Sequence, residues 1–156
     1  MSFLKLSHPK RRIIAGFLFL SFLGFLDASY LTAEHYLGVP IVCSIVDGCE
    51  QVLHSTYATI FGIPIALFGA LYYAAVFLLT FLYVDTKNLA FLKGAVALPF
   101  AGFVASAWFV YLQAFVLEAW CQYCLISALI STLLFLLSSH VLWHSYKKRV
   151  SLKYED

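Results

Sequence analysis

Residues 119–146 read AWCQYCLISALISTLLFLLSSHVLWHSY, with no Asp, Glu, Lys or Arg among them. A hydrocarbon core about 30 Å thick needs roughly 20 apolar residues at helical rise, so this stretch is long enough to cross a bilayer as one helix. It opens on Cys121-Gln122-Tyr123-Cys124, which places reactive sulfur where the helix enters lipid. Working outward, residues 94–117, 51–84 and 13–26 are equally free of those four residue types. These runs are continuously apolar rather than alternating, which favours helices over the strands of a membrane barrel. The whole chain, 63% hydrophobic and 18% aromatic with a mean hydropathy of +0.89, lies outside the range of water-soluble domains.

The expected architecture is an all-α integral membrane protein of one domain over residues 1–156. It is a four-transmembrane-helix bundle with spans near 13–36, 61–83, 89–115 and 122–145. Lys10, Arg11 and Arg12 before an apolar run mimic a secretion signal, but that run continues through Asp27 without a convincing small-residue cleavage site. It is therefore kept as an uncleaved first span. All 10 Lys and Arg fall before span one, around the connection between spans two and three, or after span four, and residues 37–60 and 116–121 contain none. By the positive-inside rule both termini are cytoplasmic and both outer connections face the other side. Trp120 and Trp143, near the ends of span four, suit the two interfacial aromatic belts.

The outer end carries all four cysteines, Cys43/Cys49 in the first outer connection and Cys121/Cys124 where the second enters span four. That side of a membrane is where disulfides form and persist. Gly38 and Pro40 should end the first helix, Asp47-Gly48 is a turn signal, and residues 49–60 read as a short interfacial helix. Gly62-Ile63-Pro64 marks a break before span two. Cys43 and Cys49 are thus expected on a movable loop.

A CxxC at a helix start sets its two sulfurs about 60° apart on one face, with Cys124 a turn deeper than Cys121. The positive end of the helix favours a thiolate at Cys121. Disulfide exchange runs by thiolate attack through mixed disulfides and needs access, which a loop pair provides. The pattern suggests a relay with a wet end and a lipid end. Two static disulfides in a scaffold or transporter subunit remain the competing reading, although a helical bundle in lipid needs no staple to fold. A metal or haem site using His35 or His54 lacks paired CxxC knuckles, so no metal is expected. Asp27, within span one, is costly at membrane depth and is expected to face the bundle and hydrogen-bond nearby hydroxyls. Glu50 and Glu118 read as solvated loop carboxylates, and His140 and His144 as interface residues.

The full order is the spaced pair, Ser55 six residues past Cys49, the stretch Tyr57...Phe61-Gly62-Ile63-Pro64...Gly69, then Trp120-Cys121-Gln122-Tyr123-Cys124 at span four. It resembles the vitamin K epoxide reductase family, in its prokaryotic, disulfide-forming branch, over about residues 12–146. The resemblance implies a four-helix bundle enclosing a quinone of the menaquinone or ubiquinone type. Cys121 and Cys124 would match the active-site CxxC, with Cys124 meeting the quinone ring. Cys43 would be attacked by a reduced thioredoxin-fold, DsbA-like partner, Cys49 would pass electrons to Cys121, and Ser55 would hydrogen-bond a quinone carbonyl. In a continuous helix Ser55 would lie about 120° around from Cys49, so a shared site requires a break.

Animal members carry a tyrosine where this chain has Ala128, and an asparagine at an offset occupied here by Leu78, so a plain quinone is expected rather than vitamin K epoxide. The thioredoxin-like domain fused after span four in some relatives is not expected here. The partner would be a separate extracytoplasmic or periplasmic protein, with no nucleic acid involved. The setting would be a bacterial cytoplasmic membrane.

Overall fold

Four long helices dominate the described residues, and their membrane-length stretches are predominantly apolar. The computed structural model describes residues 9–38, 43 and 48–153. Helix α1 spans Arg11–Leu37, α2 Cys49–Leu53, α3 Ile65–Thr86, α4 Leu89–Phe115 and α5 Gln122–Lys153. Large side chains such as Phe19, Phe68, Leu71, Phe81, Val104, Leu129 and Leu136 point outward, as a lipid environment favours. The expected spans are therefore met by α1, α3, α4 and α5, each long and apolar enough to cross a membrane. Helix α5 runs beyond residue 145 because its basic tail, Lys147 onward, continues the same backbone hydrogen bonding past the apolar stretch.

The ends of the helices follow from local chemistry. Helix α1 stops at Gly38, which takes a left-handed φ of 63° and donates its N–H to the Glu34 carbonyl at 2.9 Å. Helices α3 and α4 are joined by Lys87 and Asn88, and the Asn88 side chain caps α4 by accepting the Ala90 N–H at 2.9 Å. So short a connection makes the two helices antiparallel neighbours.

Each long helix packs on two others in the cyclic order α1, α3, α4, α5. Phe17, Ala28, Tyr73, Val76, Val96, Ile130 and Leu134 are among the residues of the central core. Buried hydroxyls mostly return to their own helix: Ser21 donates to the Phe17 carbonyl, Thr32 to Ala28, Thr80 to Val76, Thr132 to Ala128 and Ser145 to Val141. The consecutive tyrosines of α3 reach further. The Tyr73 ring lies against the bare backbone of Gly24 on α1, and its hydroxyl meets the carbonyl and hydroxyl oxygens of Ser127 on α5 at 2.8 and 2.9 Å. The Tyr72 ring packs edge-on to Tyr73 and sits over Gly102 of α4.

The connection between α1 and α3 departs from the sequence reading. Helix α2 ends at Leu53, well short of residue 60, and a two-stranded antiparallel hairpin follows, β1 Thr59–Ile60 paired with β2 Ile63–Pro64. Its two turn residues, Phe61 and Gly62, both have positive φ, 52° and 79°, which suits the right-handed twist of a tight hairpin. Phe61 adopts a conformation unfavourable for a bulky side chain and is fully exposed. Because 61–64 is spent on the hairpin, α3 begins at Ile65 rather than at 61, with Pro64 as its N-cap. The expected turn at Asp47-Gly48 and the residue Pro40 fall wholly or partly outside the described residues.

Candidate redox site

Two chain segments that enter or leave lipid at the same end of the bundle meet over the cysteines. Cys49 opens α2 and Cys121 immediately precedes α5, and both are buried in one small cluster with Val52 and Ala119. Cys49 retains only 2% of its exposure and Cys121 none, whereas Cys43 is partly exposed. Cys43 and Cys49 are joined as a disulfide across a Cα separation of 6.4 Å, while Cys121 and Cys124 are free thiols. Cys49 is thus fixed at a helix start and enclosed, not carried on a free loop. The enclosure rests on Gly48: a Cβ built there would lie 2.7 Å from the Trp120 nitrogen and 2.8 Å from its oxygen. Only glycine lets these two backbones come so close.

Cys121 is held through both its backbone and its side chain. Its N–H donates to the Gln113 side-chain oxygen at 2.9 Å, and its Sγ accepts the Cys124 N–H at 3.4 Å, as an N-cap side chain does. The Ala119 N–H donates to the Gln113 carbonyl at 3.2 Å, so one residue at the end of α4 shapes the whole approach to α5. The Cys121 thiol is held below its ordinary pKa, first by the hydrogen bond from the Cys124 thiol and further by the backbone N–H groups of Cys124 and Tyr123. Burial and the negative charge of Asp27 oppose that shift. A lowered thiol pKa was the expectation from the helix start. Gln113 was not anticipated; the available signal was an amide residue near the end of an apolar span, eight residues before the CxxC, and the structure buries it to 2% exposure.

Cys124 faces a different space. It lines an apolar cavity of about 370 Å³ between the helices, together with Ser55, Gln113, Ser127 and Ala128. The break needed to bring Ser55 there exists, because α2 ends at Leu53 and the following turn carries Ser55 to the cavity. Its hydroxyl donates to the Val52 carbonyl at 2.7 Å. Ala128 lines the same cavity, but Leu78 faces outward with 55% exposure and occupies no cavity position. Deeper in the cavity are Tyr72 and Ser131. Asp27 lies partly buried, and its Oδ2 has no hydrogen-bond partner. The expected bond from a neighbouring hydroxyl does not reach that oxygen, because Ser21 and Thr32 bond their own helix and Tyr73 bonds Ser127. Glu50 and Glu118 are exposed.

The described geometry therefore sets the four sulfurs in a sequence: partly exposed Cys43, enclosed Cys49 and Cys121, then Cys124 at an apolar cavity. Comparison with known proteins finds that the family model described as Vitamin K epoxide reductase family matches residues 16–139. The chain is also 38% identical over 122 residues to the thiol-disulfide oxidoreductase LTO1 of Arabidopsis thaliana. That match covers 72% of this chain and 32% of the relative, so the chain spans about a third of the relative's length.

Proposed function

This chain belongs to the vitamin K epoxide reductase family, and from that premise we propose that it is a thiol oxidase that passes electrons from a protein dithiol to a membrane quinone. The observation that carries the reading is the order of the sulfurs. Cys43 is the reachable member of the outer pair, Cys49 and Cys121 share one buried cluster, and Cys124 lines the cavity.

A reduced thioredoxin-fold partner attacks the Cys43 sulfur, the only sulfur of that disulfide with access to solvent. Cys49 leaves as a thiolate, and resolution of the mixed disulfide releases the partner in its oxidised form. Once Cys121 and Cys124 are themselves oxidised to a disulfide, the Cys49 thiolate attacks the Cys121 sulfur within the shared cluster and expels the Cys124 thiolate; Cys43 then attacks Cys49, which re-forms the outer disulfide, expels the Cys121 thiolate and leaves Cys121 and Cys124 reduced. The low thiol pKa of Cys121 makes it a good leaving group in this exchange. Closure of Cys121 and Cys124 to a disulfide releases two electrons and two protons, which a quinone held by the cavity would accept.

The cavity suits such a ligand: its exposed lining surface is mostly apolar, its volume lies within the usual range for small-molecule sites, and polar side chains such as Ser55 and Gln113 reach it. Cys124 would meet the ring, and Ser55 would turn its hydroxyl from Val52 to a ring oxygen. The quinone is of the menaquinone or ubiquinone type, and the electron donor is a DsbA-like, thioredoxin-fold dithiol. The cysteine end faces the extracytoplasmic side of a bacterial cytoplasmic membrane, since the basic residues flank the opposite end. The product is an oxidised carrier that makes disulfides in exported proteins.

The test is anaerobic quinone reduction by the purified protein with a reduced thioredoxin-fold donor. Cys124→Ala should abolish turnover with every donor. Cys43→Ala and Cys49→Ala should lose the protein donor but keep turnover with a small dithiol. Quinone reduction by Cys124→Ala at the wild-type rate would reject the assignment.

A further inference from the structure

The membrane-buried end of the cavity holds two polar groups that the relay does not use. Tyr72 Oη and Ser131 Oγ are both buried and have no hydrogen-bond partner. They lie near enough to interact with each other, though not in a geometry that makes a hydrogen bond, and both residues line the cavity that Cys124 lines. Ser131 is 1% exposed. Its behaviour contrasts with Ser21, Thr32, Thr80, Thr132 and Ser145, each of which satisfies its hydroxyl on a carbonyl of its own helix. Ser138 is also unpartnered but does not line the cavity. A hydroxyl left unpaired in an apolar interior costs about 1–3 kcal/mol, so two of them together mark a place where a ligand atom completes the pairing.

The backbone is arranged to keep them there. Tyr72 crosses from α3 to α4 because Gly102 leaves a notch for its phenol, and a Cβ at that position would collide with the ring and its hydroxyl. On α5, Cys124 and Ser131 are seven residues apart, which is two turns on one face and about 10 Å of rise. A ligand in contact with Cys124 therefore presents its far edge toward the two hydroxyls.

We propose that Tyr72 and Ser131 form a second polar anchor, which accepts a quinone head group by hydrogen-bonding the oxygen on the edge away from Cys124. The anchor selects ligands with acceptor oxygens on opposite edges of the ring over ligands with only one. This inference rests on the quinone reading of the same cavity and adds the direction in which the head group lies.

The test is direct binding, read by quenching of intrinsic fluorescence in detergent-solubilised full chain carrying Cys121→Ser and Cys124→Ser, so that no electron transfer intervenes. The probes are 1,4-naphthoquinone, with two opposed carbonyls, and 1-tetralone, with one. The parent should prefer the dicarbonyl compound by about tenfold, the worth of one well-made hydrogen bond. Tyr72→Phe and Ser131→Ala should each erase most of that preference and leave tetralone binding unchanged. Gly102→Ala, which keeps both hydroxyls but closes the notch, should act in the same direction. Exchange of the Cys43–Cys49 disulfide with a reduced thioredoxin-fold protein, at the parent's rate, shows that a variant is folded. Equal preference in the parent, Tyr72→Phe and Ser131→Ala overturns the anchor while the quinone reading stands. Failure of the parent to bind either probe overturns both.

Discussion

Replacing Gly48 by Ala tests whether close approach of the two cysteine-bearing segments sets the rate of the relay. The added methyl carbon would lie 2.7 and 2.8 Å from the Trp120 nitrogen and oxygen, where ordinary contact begins near 3.4 Å. Both obstacles are backbone atoms, so neither can swing aside. Gly48 has φ −101° and ψ 4°, which alanine can adopt, so the effect comes from the contact and not from the local backbone. The segments must part by about 0.7 Å to restore contact distance. Gly48 adjoins Cys49 and Trp120 adjoins Cys121, so the gap opens between the two sulfurs that exchange in the proposed relay.

Misplacement of reacting groups by about 1 Å can cost on the order of 100-fold in rate, so a parting of this size should slow the inter-pair step by roughly tenfold. The assay compares two stopped-flow traces under anaerobic conditions: quinone reduction driven by a reduced thioredoxin-fold donor, and quinone reduction by protein whose Cys121 and Cys124 have already been reduced. Gly48→Ala should slow the first and leave the second within a factor of about two. A donor-driven rate indistinguishable from wild type, in a variant with wild-type thermal stability, would refute the account of how the pairs communicate.

Two further predictions concern groups around Cys121. Gln113→Leu leaves the buried Cys121 N–H without its acceptor and should cost about 1–3 kcal/mol in unfolding free energy, measured by thermal or denaturant unfolding in detergent; a variant as stable as wild type would show that the bond is dispensable. The negative charge of Asp27 raises the Cys121 pKa, so Asp27→Asn should lower it further and move the pH profile of Cys121 alkylation, in fully reduced protein, to lower pH. An unmoved profile would mean that Asp27 carries no charge in the folded protein.

The four spans were legible in the sequence because uncharged runs of membrane length have few alternatives, and α4 matches its expected bounds, 89–115, residue for residue. The placement of the CxxC was legible as well, since that spacing at a helix start carries its own geometry, and the structure sets Cys121 just before α5 with Cys124 in its first turn. The hairpin of 59–64 was not, because its turn is formed by Phe61-Gly62 rather than by an Asn-Gly or Asp-Gly pair, and apolar residues there read as the start of a span. The burial of Cys49 was equally hidden. It depends on a backbone contact between Gly48 and Trp120, about seventy residues apart, and no local pattern announces it. Gln113 was missed for the same reason: its side chain matters because a loop returns to meet it.

The paired tyrosines of α3 bear on how the chain assembles. In lipid, helices gain no hydrophobic reward for meeting, so shape must decide which of several registers wins. Tyr73 and Tyr72 are adjacent, about 100° apart around α3, and each fits a glycine on a different neighbour, Gly24 of α1 and Gly102 of α4. Slipping α3 by one residue would drive both rings into helix backbone at once. The third helix thus works as a two-toothed key, with one lock already in the membrane when it arrives and the other supplied by the helix that follows.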